Sequence, residues 1–253
     1  MRLDLYLVEN KLAASRTQAQ DFISQGYVLV ASGDQKKIID KSNYIVKSTD
    51  QVIVEANELQ KYVSRGGLKL ERALAKLNID VKEKVVLDIG QSTGGFTDCL
   101  LKMGARQVVG VDVGHGQLHA SLKKDARIIS FENLNVKDLS MNAAFVKEVP
   151  IDKFDLVVAD LSFISLSKVI PSIVNFLGDE SEYLFLVKPQ FECGLENLDK
   201  NGLVKNIKVY KTVETEIKKS VMQYFKNVEA YFACEVIGKD GNQEFFIYGR
   251  KTV

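Results

Sequence analysis

From Lys84 onward the chain keeps returning to short, nearly unbroken apolar runs: VVLDIG, QVVGVDV, RIISF, LVVAD and YLFLVK. Runs of this length without polar alternation read as strands buried on both faces. The stretches between them, such as GFTDCLLKM, VKDLSMNAAFVKEV and FISLSKVIPSIVNFL, read as helices. Strand and helix in alternation predict an α/β domain with a mostly parallel, doubly wound sheet. A long helical window over 203–225 follows. The chain then closes on VEAYFACEVIG and EFFIYGRK around KDGNQ, a hairpin sequence that sets the last strand antiparallel to its neighbour.

The first sixty or so residues keep a different rhythm. RLDLYLVENKLAASRTQAQDFISQG places Leu3, Leu5, Leu7, Leu12, Ala19, Phe22 and Ile23 at mixed helical spacing, with Ser15 as an N-cap and Gly26 as a stop. YVLVASGDQKKIID and YIVKSTDQVIVE read as short strands between Gly, Asp, Ser and Asn breakers. The expected organisation is a small α+β module over 1–58, a linker over 59–63, and the α/β domain over 64–253. At 253 residues the chain is long enough for both. It has no apolar run of roughly 18 residues to span a bilayer and no secretory pattern at MRLDLYLVENK, which points to the cytoplasm. Cys99, Cys193 and Cys234 are far apart, as expected of buried thiols in a reducing compartment.

A formal charge of +1 gives no bulk case for nucleic acid, so any such case rests on where the charges sit. The most basic window is ELQKYVSRGGLKLERALAKLNI. Leu70, Ala73, Leu74 and Leu77 form one helix face there, and Arg65, Lys69, Arg72 and Lys76 form another. The alternative is an ordinary solvated face.

The turn DIGQSTGG after the first buried strand has glycines at 90, 94 and 95, which is not the GxGxxG spacing of a pyrophosphate cradle. S-adenosylmethionine fits better. Its carboxylate can sit on the helix amides around Gly94 and Gly95 and on the hydroxyls of Ser92 and Thr93, with Gly90 making the turn. Asp88 can take its ammonium, and Asp112, closing VVGVDV, its ribose hydroxyls. Three further charged residues mark strand ends at the same edge of the sheet: Asp160 closes LVVAD, Lys188 closes YLFLVK, and Glu244 opens the antiparallel EFFIYGRK. With Lys69 they suit methyl transfer to a ribose 2′-hydroxyl, a weak acid whose proton a lysine can take if a second cation and desolvation depress its pKa. Asp160 and Glu244 would orient the ammonium groups and the hydroxyl. His115 and His119 in HGQLH have a spacing a metal would accept, but no further ligand accompanies them, so they are read as helical residues and no metal is expected.

These motifs resemble the TlyA family, S4-domain proteins similar in their larger domain to FtsJ-type ribose 2′-O-methyltransferases. RLDLYLVENKLAASRTQAQDFISQG resembles the S4 RNA-binding module. YVSRGGLKL, LDIGQSTGGFTDCLL, VDVGHGQL, VVADLSFISL, LVKPQFE and GNQEFF follow in the family's order over essentially the whole chain. The resemblance implies a Rossmann-like class I methyltransferase sheet and a Lys-Asp-Lys-Glu tetrad at Lys69, Asp160, Lys188 and Glu244. It also implies S-adenosylmethionine as cofactor and cytidine 2′-hydroxyls of ribosomal RNA as substrate. The chain looks like the family's shorter form, for which the large subunit is the expected partner.

Three departures stand out. Gln91 replaces a small residue in the cofactor turn. VLVASGD stands where a Val-Asn-Gly turn is usual, and Gln18 where a basic residue is common. The module over 1–58 holds seven basic and eight acidic residues, so its grip on RNA should depend on Arg2, Lys11, Arg16, Lys36, Lys37 and Lys41, supplemented by Arg65 and Arg72. A non-catalytic S4-type assembly factor is the rival reading. Family members are often labelled haemolysins, yet no membrane-active segment is evident.

Overall fold

The computed structural model describes the chain apart from residues 14, 25, 33–34, 55–60, 150–153, 237, 239–240 and 252–253. The N-terminal module has two helices, α1 (Leu3–Glu9) and α2 (Arg16–Ser24), and three strands, β1 (Val28–Ser32), β2 (Gln35–Ile38) and β3 (Gln51–Val54). Ser15 caps α2 by accepting the Gln18 amide at 3.2 Å, which satisfies one orphan donor of the first turn. The strands form an antiparallel sheet in the order β2-β1-β3. Leu3, Leu7, Ala19, Phe22 and Ile23 from the helices meet Val28 and Val30 in its core.

The α/β domain opens with α3 (Arg65–Leu77) and β4 (Val85–Ile89), followed by α4 (Gly95–Lys102), β5 (Gln107–Val111), β6 (Ile128–Phe131), α5 (Ala143–Glu148) and β7 (Phe154–Ala159). Then come α6 (Ile170–Ile173), β8 (Leu177–Val187), α7 (Pro189–Glu192), α8 (Ile207–Val221), β9 (Ala230–Ala233) and β10 (Phe245–Arg250). The sheet order is β6-β5-β4-β7-β8-β10-β9. β4 through β8 run parallel, and β10 lies antiparallel between β8 and β9. Every apolar run singled out in the sequence is a strand of this sheet.

Successive strand residues point to opposite faces, so the apolar runs fill two cores at once. Val86, Leu156 and Leu184 pack with Leu70 and Leu74 of α3 and Leu100 of α4. Leu87, Val157 and Phe185 pack with Ile170, Ile173, Val213 and Ile217 on the other side. Each such side chain contributes about 1.5–3 kcal/mol by leaving water.

Three helical expectations change. The window over 136–149 splits at Asn142, whose side chain accepts the Phe145 amide, into a 3₁₀ stretch over Val136–Met141 and the short α5. The window over 163–177 breaks into a four-residue helix, Ile170–Ile173, flanked by 3₁₀ turns, because Pro171 lacks an amide and fits only a first turn. HGQLH is a turn and not a helix: Gly116 adopts φ +67°, which the α-helix excludes. The boundary at 58 and residues 59 and 60 of the expected linker lie outside the described residues. From Lys61 on, the chain is fastened to α4. The Val63 amide donates to Asp98 Oδ2 at 2.9 Å, and the Tyr62 ring is buried with the Lys61 and Lys102 ammonium groups 5.5 and 5.2 Å from its centroid.

Candidate active site

The strand register brings the charged strand ends together. Ile89 of β4 pairs with Ala159 of β7, and the Asp160 amide donates to the Ile89 carbonyl at 3.0 Å, so the glycine turn and Asp160 are neighbours. The approach is close: a Cβ on Gly90 would lie 2.4 Å from the Asp160 carbonyl oxygen. Val187 of β8 pairs with Phe245 of β10, which sets Lys188 beside Glu244 at the same edge. Lys69 arrives from α3 and is buried.

Lys69 Nζ donates to Glu244 Oε2 at 2.5 Å. Lys188 Nζ stands 2.6 Å from Asp160 Oδ1 and donates to Ser162 Oγ at 2.9 Å. Burial works against the Lys69 ammonium, but Glu244 and then Asp160 outweigh it and raise its pKa above the ordinary lysine value. Burial likewise opposes ionisation of Asp160, yet Lys188 and Lys69 keep its carboxyl below the usual range. At Glu244 burial wins and the pKa rises despite Lys69. Cys234 is close enough to feel the same charges, but burial pushes its thiol up to about 11, which leaves no thiolate for nucleophilic work near neutrality.

Beside these pairs opens a cleft of about 580 Å³ lined by Gly90, Ser92, Asp112, Gln117, Asn135 and Asp160 among others. Asp112 Oδ2 accepts the Ser92 amide at 2.8 Å, and Oδ1 accepts the Gly114 amide at 2.6 Å. Asp88, Thr93, Gly94 and Gly95 do not line it. Gly94 takes a left-handed φ of 90° at the start of α4 and lies against Leu118 and Leu122, while a Cβ on Gly95 would meet Ser64 Oγ at 2.1 Å. Asp88 lies fully buried, with Oδ2 accepting from Thr97 Oγ1 at 2.6 Å. Its Oδ1 is a buried acceptor without a hydrogen-bond partner, and burial raises the carboxyl to about 7. An ammonium or a bridging water would satisfy that atom, so the donor set fits the amino-acid tail of S-adenosylmethionine.

Gln91 turns away from the cleft. Its Nε2 donates to Thr97 Oγ1 at 2.9 Å and its Oε1 accepts from Ser130 Oγ at 2.6 Å. The side chain crosses Gly110 so closely that a Cβ there would stand 2.0 Å from it. Gln91 thus completes a buried chain of hydrogen bonds through Thr97 to Asp88.

The basic residues are less available than the charge pattern suggests. Arg2 and Arg16 both bond to Asp4, at 3.0 and 2.9 Å, and these partners outweigh burial to bring Asp4 to about 2. Arg72 Nη1 lies 3.8 Å from Glu235, Lys76 stands over the Phe232 ring at 5.2 Å, and Arg65 packs on Gly26. The α3 cations therefore do not form one solvated stripe. Lys11, Lys36, Lys37 and Lys41 belong to the small module, where Lys11, Lys37 and Lys41 stand at turns or on the edge strand β2. His115 and His119 bond to Asn133 and Ser121, and no cluster able to hold a metal occurs among the described residues.

Sequence reasoning missed Ser162 and Phe163. Phe163 is 91% exposed at φ +65°, with its ring 5.3 Å from that of Phe191. It is an exposed aromatic in the left-handed region, three residues from Asp160, and it lines the cleft. In the sequence it was one apolar letter among several.

A Rossmann-like sheet with an antiparallel strand inserted before its edge, a glycine turn after β4 and acids closing β5 and β7 define a methyltransferase domain. Residues 62–251 match the FtsJ-like methyltransferase family and residues 1–52 match the S4 domain. The chain belongs to the FtsJ-like methyltransferase family, with an S4 domain at its N-terminus. It is 40% identical over 249 residues to hemolysin A of Brachyspira hyodysenteriae, covering 98% of this chain and 99% of that protein. It is 35% identical over 249 residues to the 16S/23S rRNA (cytidine-2'-O)-methyltransferase TlyA of Mycobacterium tuberculosis, covering 98% and 89%. With the 23S rRNA (cytidine-2'-O)-methyltransferase TlyA of Campylobacter jejuni it shares 34% over 262 aligned positions, covering 98% of each.

Proposed function

We propose that this protein methylates the 2′-hydroxyl of a cytidine in ribosomal RNA, with the large subunit as its partner and S-adenosylmethionine as methyl donor. The carrying observation is the meeting of two lysine–carboxylate pairs, Lys69–Glu244 and Lys188–Asp160, from four chain segments beside the 580 Å³ cleft. Support for the large subunit is that the mycobacterial and campylobacter relatives both carry 23S in their names. In this reading residues 1–58 grip RNA through Lys11, Lys36, Lys37 and Lys41, and residues 64–253 carry the chemistry in the cytoplasm. Arg2 and Arg16, anchored on Asp4, keep guanidinium edges exposed on the same module.

Gly90, Ser92 and Asp112 would hold the cofactor, with Asp88 beneath. When bound, the cofactor supplies a methyl group activated by an adjacent sulfonium charge. Lys188, once it has released its own ammonium proton to solvent, is the group placed to take the hydroxyl proton, and Asp160 and Ser162 fix its nitrogen. Lys69, kept cationic by Glu244, lowers the cost of negative charge on the attacking oxygen. Asp160 feels the charges of both Lys188 and Lys69, and Glu244 those of Lys69, Asp160 and Lys188, so the two pairs form one electrostatic cluster. Phe163 offers a ring face on which a base can stack. No helix among the described residues is long and apolar enough to cross a membrane.

The test is transfer of labelled methyl to purified ribosomal subunits. Label on the large subunit is expected. Label absent from both, with folded protein, would refute enzymatic function and favour an RNA-binding assembly factor.

A further inference from the structure

The middle of the loop between β5 and β6, which replaces the expected helix, is held by one carboxylate. Glu132 accepts three successive backbone amides, from Gly116 at 2.7 Å, Gln117 at 3.1 Å and Leu118 at 3.4 Å. His115 Nδ1 lies 3.4 Å from the same group. Consecutive amides converging on an anion make a nest. The loop's near end is tied too, with the Gly114 amide on Asp112 and the Asn133 amide donating to the Gly114 carbonyl at 2.9 Å.

So fixed, the Gln117 side chain folds back over Gly114, where a Cβ would stand 2.0 Å from its Nε2. Gln117 Oε1 accepts from Ser92 Oγ at 2.9 Å. Ser92, Asp112 and Gln117 thereby share the lining of the 580 Å³ cleft. Packing does not call for an amide there, since Gln117 is exposed. Chemistry does: Asp112 offers only acceptors, whereas Gln117 Nε2 offers donors, and a vicinal diol needs both because each hydroxyl donates and accepts.

We propose that Gln117 contacts the cofactor beside Asp112, and that Glu132 positions it. This rests on the cofactor reading above. Calorimetry with S-adenosylhomocysteine on the full chain tests it. Gln117→Ala should weaken binding about tenfold, as removal of one or two hydrogen bonds would, while affinity for ribosomal RNA stays within about twofold. Glu132→Ala should weaken it comparably, and Glu132→Gln, which keeps one of the two acceptor oxygens but sets a donor against the other amide contact, should recover part of the affinity. The Gln117→Ala/Glu132→Ala double variant should bind no worse than about twofold below the weaker single one, because the two residues act in series.

Wild-type affinity retained by Gln117→Ala would overturn the contact. Effects that multiply in the double variant would overturn the positioning role, as would a failure of Glu132→Gln to recover binding in protein of unchanged melting temperature. Wild-type protein that does not bind S-adenosylhomocysteine at all would overturn the cofactor reading itself.

Discussion

Lys69 and Glu244 meet at 2.5 Å across 175 positions of sequence, one on the helix that precedes the sheet and the other at the start of its antiparallel strand. Because both groups are buried, breaking the pair leaves an uncompensated charge. Lys69→Met and Glu244→Gln should each cut methyl transfer by at least about a hundredfold, as expected for acid–base machinery. Lys188→Ala should do the same with less effect on the melting temperature, because its ion pair is more exposed. Single-turnover rates and thermal melts check this, and more than a tenth of the rate remaining in Lys188→Ala would remove it as the base.

If Asp88 receives the cofactor's ammonium, as proposed, cofactor affinity should depend on pH. Its carboxyl, raised from 3.8 to about 7 by burial, lends stability in full below 3.8 and loses it as the pH rises through about 7. An ammonium docked at Oδ1 favours the carboxylate, so S-adenosylhomocysteine should bind more tightly as the pH rises from about 6 to about 8 and level off above. Calorimetry across that range should show the slope in wild type and none in Asp88→Asn. A flat wild-type profile would mean that Asp88 does not receive the ammonium.

Gln91 and Gly110 form a lock in the sheet. Gly110→Ala drives a methyl into the Gln91 amide and should destabilise the protein by about 1–3 kcal/mol. Adding Gln91→Ala should relieve the clash, so the double variant should be more stable than the sum of the two single effects implies. Urea denaturation of the three variants measures the coupling, and simple additivity would contradict the close approach.

In the S4 module, Lys36 and Lys37 should behave differently from Arg2 and Arg16. Alanine at either lysine should lower RNA affinity and reduce the salt slope by about 0.7–0.9 for each phosphate it ceases to neutralise. Arg2→Ala or Arg16→Ala also strips a partner from buried Asp4, so each should lower the melting temperature as well. Salt titrations beside thermal melts separate the two behaviours.

Much of the fold could be read from Lys84 onward, because strands buried on both faces leave unbroken apolar runs, and their ends place Asp160, Lys188 and Glu244 at one edge. Lys69 was visible as a charge on a helix, but its burial was not, since helical spacing does not say which face a neighbour covers. The helix expected at HGQLH failed because Glu132, distant in sequence, captures that segment's amides. That Arg2 and Arg16 both anchor on Asp4 was not legible in the sequence, because nothing in the spacing shows that Asp4 is buried between them. Gln91 looked like an intruder in the cofactor turn, and only the absent side chain at Gly110 shows where it goes.

The most direct measurement is the chemical identity of the methylated nucleoside. Ribosomal RNA labelled by the wild-type enzyme would be digested to nucleosides and resolved by chromatography. Label in 2′-O-methylcytidine from the large subunit, abolished by Lys188→Ala, is the expected result. Label on a base, or on the ribose of another nucleoside, would contradict the assignment.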